Sequence, residues 1–427
     1  MRELFMQAVT ILFARSFIRI AQLVSFLILA RYLSPQGLGA FGLVTTAMGL
    51  AAQLGSVGLR QSTAHAIGRG TLTAGEAAGT ILAVWPFLAA VASLVVWFFY
   101  ANAISDISAI SSASIIVLGV GAALLIVMNQ GVFLGRGDIR YFSFTETAPR
   151  VLLTGFVVAL MLTNSITIGT ALWSYVASFA LVIPISLFFV SRNMGQLRPV
   201  LAALPGMVVY GVAFSINLFL ITLNTRIGLF MLDHFSGQAE AGRFFAALRI
   251  NEIFIEAAVA FGLVIFSSTV RSEDQSDMVC RNARIACWTF WSFMLLALGI
   301  IVAAPLGLTF LLGKEYQEAS VALQIMSLGL GPAAATKIVY PTIAGLGKPL
   351  FGSVSIGVSL AVNLIVAWFL VENYGSLGVA AALVAAQFAL FLGYAFACKW
   401  FYAAPVHLFL IPQKKDVQAI IGFVKRH

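Results

Sequence analysis

Apolar residues along this chain recur in runs of about twenty, parted by short polar breaks, twelve times over. A bilayer core of about 30 Å is crossed by a helix of about 20 apolar residues. The pattern therefore predicts membrane spans over residues 9–31, 38–59, 78–100, 112–134, 145–162 and 168–190, then 207–231, 244–269, 285–312, 319–344, 350–371 and 376–402. The expected fold class is an all-α polytopic membrane protein. Its domains are read as an N-terminal six-helix lobe over 1–200, a C-terminal six-helix lobe over 201–404 and a basic cytoplasmic tail over 405–427. The longest internal loops, about 60–77 and 270–284, have no room for a soluble domain, so any function must lie within the membrane.

Basic residues orient this pattern. With the N-terminus inside, the cytoplasmic segments hold Arg2, Arg60, Arg69, Arg136, Arg140, Arg192, Arg198, Arg271, Arg281, Arg284, Lys348, Lys399, Lys414, Lys415, Lys425 and Arg426. The external segments hold only Arg31, Arg243 and Lys314. That asymmetry is the positive-inside signal and places both termini in the cytoplasm. It also checks the span count, because one missed or invented helix would scramble the alternation.

Composition agrees. Of 427 residues, 61% are hydrophobic and 10% charged, where a soluble chain carries about 25% charged. The net charge of +9 sits in short loops between spans and does not form a face for nucleic acid. Cys280, Cys287 and Cys398 are too few and too scattered for a disulfide framework or a metal site. The first apolar run is long, interrupted by arginines and without a small-residue cleavage site, so no cleavable signal peptide is expected.

Charges inside the spans carry the chemistry. Arg15, Arg19 and Gln22 stand at i, i+4 and i+7, on one side of the first helix. An arginine near mid-membrane costs roughly 2.5–3.5 kcal/mol even on the mildest scale, so two on one face fit a wet cavity that receives an anion. Across all spans the cations are Arg15, Arg19, Arg150, Arg226, Arg249 and Lys337, and the anions are Glu146, Glu252 and Glu256, a surplus of six minus three, or +3. Arg249, Glu252 and Glu256 form a stripe on span 8; either Arg249 binds substrate while a glutamate takes up protons, or Arg249 and Glu252 simply pair. Glu146 and Arg150, at i, i+4, read more simply as a pair. Arg226 and Lys337 lie near opposite ends of their spans, where each can snorkel to headgroups. Asn129, Gln130, Asn217, Asn224 and Asn363 add groups that tie helices together or meet a sugar. Pro332 and Pro341, with Gly329 and Gly331, predict a bent span 10.

Missing motifs exclude other classes. There is no GxxxxGK[ST] loop, no HExxH, no GxSxG, and His65, His234, His407 and His427 form no cluster. The chain is read as no enzyme and as needing no cofactor, driven instead by a proton or other ion gradient. A short repeat joins the two halves: Ser34-Pro35-Gln36 with Gly39 and Phe41 follows span 1, and Ser236-Gly237-Gln238 with Gly242 and Phe244 follows span 7. Parallel repeats of this sort are common in secondary transporters.

Ala30-Arg31-Tyr32-Leu33-Ser34-Pro35 through Gly39-Ala40-Phe41, then Gly58-Leu59-Arg60-Gln61, resembles the opening of polysaccharide-export flippases. These are the Wzx-type O-antigen and exopolysaccharide translocases of the MOP (MATE-like) superfamily. Phe235 to Arg249 resembles their span 7–8 junction, and Gly345-Leu346-Gly347-Lys348 and Tyr374-Gly375-Ser376-Leu377-Gly378 resemble their late signatures. The resemblance implies two six-helix lobes around a V-shaped cationic cavity in the bacterial inner membrane. An undecaprenyl-pyrophosphate-linked oligosaccharide would cross it by alternating access, for O-antigen, lipopolysaccharide or exopolysaccharide export, and a polysaccharide polymerase and chain-length regulator would be partners. Arg15 and Arg19 would meet the pyrophosphate, as would Arg226 and Arg249, while Glu252, Glu256 and Glu146 are the carboxylates available for proton coupling. A MATE-type multidrug antiporter is the alternative, but span 1 has arginines where a cation exporter wants a carboxylate. Lipid II flippases are related and usually carry two more helices. A glycan polymerase or ligase would need a large external loop, which is missing.

Overall fold

The computed structural model describes residues 18–100, 108–192, 196–270, 275–345 and 349–412. Among these residues the chain is helical throughout, with no strand. Over the described residues every predicted span falls on helix, with breaks at 56–58, at Leu181 and at 328–329. In chain order these are α1 (18–32), α2 (Pro35–Gly55) with α3 (Leu59–Gly68), α4 (Ala74–Tyr100), α5 (Ala109–Arg136), α6 (Ile139–Leu162), and α7 (Ile168–Ala180) with α8 (Val182–Arg192). Then come α9 (Leu204–Ser236), α10 (Gln238–Val270), α11 (Gln275–Leu312), α12 (Ala319–Ser327) with α13 (Leu330–Gly345), α14 (Pro349–Tyr402) and α15 (His407–Leu410).

Eight described helices are long and apolar enough to cross a membrane, and the bent pair α12–α13 makes a ninth. Three further predicted spans escape that measure for local reasons. Only 18–32 of the first is described, the side chains over 260–270 of α10 lie outside the described residues, and α14 is one helical run that turns at Gly375 into two limbs. Large apolar side chains face outward, Phe310 at 82% and Trp400 at 86% exposure, a liability in water and the expected surface against lipid chains.

Helix ends follow from their residues. Ser34 caps α2, its Oγ accepting from the Gly37 N–H at 3.2 Å, with Pro35 pre-set at the first turn. Thr73 and Glu76 cap α4 reciprocally: the Glu76 carboxylate accepts from the Thr73 N–H and hydroxyl, which hold it below the usual carboxylate range. Pro184 cannot donate to the preceding turn, and the helix is interrupted at Leu181, parting α7 from α8. Span 10 is bent by 47° at residues 328–329, just ahead of Pro332, as its glycines and prolines predict. The two halves of the sequence repeat each form a tight turn, Ser34 leading into α2 and Gly237 at φ +85 leading into α10.

The chain separates into two compact units, residues 1–223 and 224–427, with the boundary inside α9. In the first unit α5 is the central helix. Its Ile116, Val120, Leu124, Met128 and Val132 are fully buried, and it packs on α2, α3, α4 and α7. Lipid is as apolar as leucine, so helices there associate through close packing and hydrogen bonds and not through exclusion of water. Small residues permit the approach. Gly58, at φ +71, breaks the helix between α2 and α3, and a Cβ there would lie 1.9 Å from the Gly211 carbonyl oxygen of α9. The same contact is reinforced by Ser215 donating to the Gln53 carbonyl and by His65 stacked on Tyr210 at 4.2 Å.

In the second unit α13 is central, with Ala334, Ala335 and Ile338 fully buried between α10, α11 and α14. A buried polar knot ties α9 to α14. Asn224 donates to Ser359 at 2.9 Å, Asn363 donates to the Asn224 carbonyl at 2.6 Å, and Ser359 donates to the Ala386 carbonyl at 2.7 Å.

One expectation needs correction. The segment from residue 60 is not simply a loop, because the helical path resumes as α3 and packs on α5. The start of the tail packs on the helices: Leu408 and Phe409 of α15 are buried against α11, and Trp291 donates to the Leu410 carbonyl at 2.8 Å. The apolar run Leu408-Phe409-Leu410 explains this, and the tail's basic residues from Lys414 onward lie outside the described residues.

Candidate anion site

The polar interior of the second unit gathers on one face of α10. Arg249, Glu252 and Glu256 come round on the same side of the helix, and two neighbouring helices bring cations to them. From α9, Arg226 Nη2 lies 2.6 Å from Glu252 Oε1. From α10 itself, Arg249 Nη1 lies 3.2 Å from Glu252 Oε2. The glutamate thus spends each oxygen on a different guanidinium. Arg249 also stands over the Phe245 ring, 4.9 Å from its centroid. From α13, Lys337 interacts electrostatically with Glu256 and, less strongly, with Glu252. Lys337 keeps exposed surface within a stretch, 329–339, that is otherwise buried.

This arrangement revises two assignments. Arg226 does not snorkel; its side chain is only 12% exposed and turned to Glu252, and its Nη1 is buried with no hydrogen-bond partner. Lys337 does not simply reach for headgroups, since two carboxylates of α10 lie within its field. Of the two readings at Glu252, the structure bears on the pairing. Glu252 does pair with Arg249, but it is shared with a second arginine from another helix, which spacing along α10 cannot reveal.

The first unit carries the other candidates. Arg19 on α1 is exposed and donates to Gln22 Oε1 at 3.1 Å, so the expected stripe exists on the described part of the helix. Arg15 lies outside the described residues. Thr154 of α6 donates to the Ala21 carbonyl at 2.8 Å, which seats α6 against α1 two residues from Arg19. One turn before Thr154, Arg150 pairs with Glu146 at 3.7 Å and also donates to the Glu146 carbonyl. Glu146 in turn acts electrostatically on Arg60, which donates to Gln130 Oε1 at 3.4 Å and stands over the Phe142 ring. Asn129 donates to Ser186 at 3.2 Å, so of the polar span residues Asn129, Asn224 and Asn363 all tie helices together. Among the described residues no group of three or more His, Cys, Asp or Glu could hold a metal ion.

Chemically, the three cations and two carboxylates of this cluster leave one surplus positive charge. Guanidinium groups bind phosphate and carboxylate oxygens in bidentate fashion, and a surplus cation in a low-dielectric surrounding favours an anionic ligand.

No family model and no curated protein sequence matches the chain. Solved structures do. An inward-facing multidrug resistance MATE transporter of the MOP superfamily matches with a TM-score of 0.72 over 90% of this chain and 95% of its own, at 15% identity. The lipid II flippase MurJ, in an inward closed conformation, gives 0.75 over 94% of this chain and 89% of its own, at 14% identity. A MOP-superfamily transporter from Pyrococcus furiosus, described as having a binding pocket of reverse polarity, gives 0.59 over 92% and 96%, at 14% identity. Nearly the whole length is covered each time, so this multi-pass membrane chain has the fold of the MOP-superfamily transporters.

Proposed function

We propose that the chain is a flippase that carries an undecaprenyl-pyrophosphate-linked oligosaccharide from the cytoplasmic to the outer leaflet of the bacterial inner membrane, for O-antigen or exopolysaccharide export. The observation that carries this reading is the cationic cluster of Arg226, Arg249 and Lys337 around Glu252, inside helices whose outer faces are apolar. The fold is compatible with either polarity of cargo, given neighbours described as multidrug transporters, as a lipid II flippase and as having a pocket of reverse polarity. Polarity of the site must therefore decide, and here it is positive. Span 1 points the same way, with Arg15 and Arg19 and no carboxylate in residues 9–31.

In this reading Arg15, Arg19, Arg226 and Arg249 receive the pyrophosphate while the isoprenoid chain stays in the bilayer and the sugar meets polar side chains. Alternating access moves the head across. A proton or other ion gradient drives the cycle, with Glu252 and Glu256 as the carboxylates placed among the substrate-binding cations and Glu146 as a third. Both termini are cytoplasmic, and a polymerase and a chain-length regulator act on the delivered repeat unit.

The test is a deletion strain in which lipid-linked oligosaccharide and surface polysaccharide are both quantified, complemented with wild type, Arg15→Ala/Arg19→Ala or Arg226→Ala. Accumulated lipid-linked repeat units with lost surface glycan, rescued by wild type and not by the properly expressed variants, is the expected result. Undiminished surface glycan in both variants would remove the anionic-head reading. Normal glycan in the deletion strain together with sensitivity to cationic drugs would move the chain to multidrug export.

A further inference from the structure

Building on the anionic-head reading, we propose that Glu252 is an internal counter-anion: it occupies the arginine pair in the unloaded protein and yields it to the substrate phosphate by turning to Lys337. The geometry at Glu252 is that of a bound oxyanion. Its two oxygens bridge guanidiniums on different helices, Arg226 of α9 at 2.6 Å and Arg249 of α10 at 3.2 Å. A pyrophosphate offers such a pair on one phosphorus and a third oxygen from the other. Arg226 Nη1, buried and without a hydrogen-bond partner, is the donor that a carboxylate leaves unused and a third oxygen could take.

The displaced carboxylate needs somewhere to go, since an ionised glutamate left unpaired inside a helix bundle is costly. Lys337 supplies it. It stands on α13, within the electrostatic reach of both Glu252 and Glu256, and is the exposed residue in an otherwise buried stretch. Among the described residues, the charged groups at Glu252 include Arg249 and Glu256 on its own helix, Arg226 from α9 and Lys337 from α13. Three positive charges against two negative leave one surplus, which favours an added anion at these arginines. Loading thus exchanges one anion for another on the same two arginines. An empty transporter, with Glu252 in place, is spared two uncompensated arginines.

Titration calorimetry of inorganic pyrophosphate against the full chain in lipid nanodiscs, at fixed ionic strength and pH, separates the possibilities. Removing the competitor in Glu252→Gln should tighten binding about tenfold or more. Lys337→Gln should weaken it by a similar factor, because Glu252 then has no second cation. The double variant Glu252→Gln/Lys337→Gln should bind as tightly as Glu252→Gln alone, since no carboxylate remains to be rehoused. Glu252→Leu, of similar bulk, carries the same expectation where the glutamine variant does not fold. Unchanged or weaker binding in both Glu252 variants, with wild type binding, would make Glu252 a residue that positions the arginines and overturn the proposal. Weakening by Lys337→Gln that persists in the double variant would place Lys337 on the anion itself and overturn it too. No binding by wild type or by any variant would overturn the anionic-head reading, and this proposal with it.

Discussion

A charged side chain inside a bilayer can be tolerated by a partner along its own helix or by partners from other helices, and both occur here. Glu146 and Arg150 belong to the first kind. They sit one turn apart on α6 at 3.7 Å, each about a third exposed, so solvent screens them and the pair is worth about 1 kcal/mol or less. Glu146→Gln should accordingly move the unfolding midpoint in detergent only slightly while lowering surface glycan through its part in coupling; undiminished glycan would leave Glu146 as a paired structural charge. Glu252 belongs to the second kind, clasped by arginines from two helices. Spacing made the Glu146–Arg150 pair legible in the sequence, since i, i+4 neighbours meet in any helix. It could not reveal that Arg226 joins Glu252, nor that Lys337 faces α10, because rotation of one helix against another leaves no local trace.

At the scale of the elements, breaks matter as much as helices. Gly58 combines a left-handed backbone with van der Waals contact against the Gly211 carbonyl. Gly58→Ala should therefore cost about 1–3 kcal/mol from backbone strain and more from the clash, read as a lowered unfolding temperature of the purified protein. An unchanged midpoint would show that α9 can retreat from this junction without loss. Pro332 and Gly329 disclosed the bend in span 10 because proline removes a specific helix hydrogen bond, a defect written in one residue. The run of helix from Leu59 to Gly68 was not legible. Its charged and polar residues look like a loop until α5 is there to bury Leu59, Ser62, Thr63 and Ala66.

For the whole molecule, the distribution of lysine and arginine predicts which ends and loops face the cytoplasm. Fusion of a fluorescent protein after His427 should fluoresce, and alkaline phosphatase at the same point should be inactive. The same reporters placed in the turn at Gly313–Lys314, between α11 and α12, should give the reverse. Matching signals at both points would mean that the orientation drawn from charge is wrong. Twelve spans and the surplus of interior cations follow from the sequence by itself, because the length and apolarity of a membrane helix, and the cost of a charge within it, are properties of each segment taken alone. The bridging of Glu252 by Arg226 and Arg249, the inward turn of Arg226, the placing of Lys337 against two carboxylates and the burial of α15 were decided only by tertiary structure. Each depends on helix rotation and close approach set by small residues on distant segments, which no spacing within a single helix records.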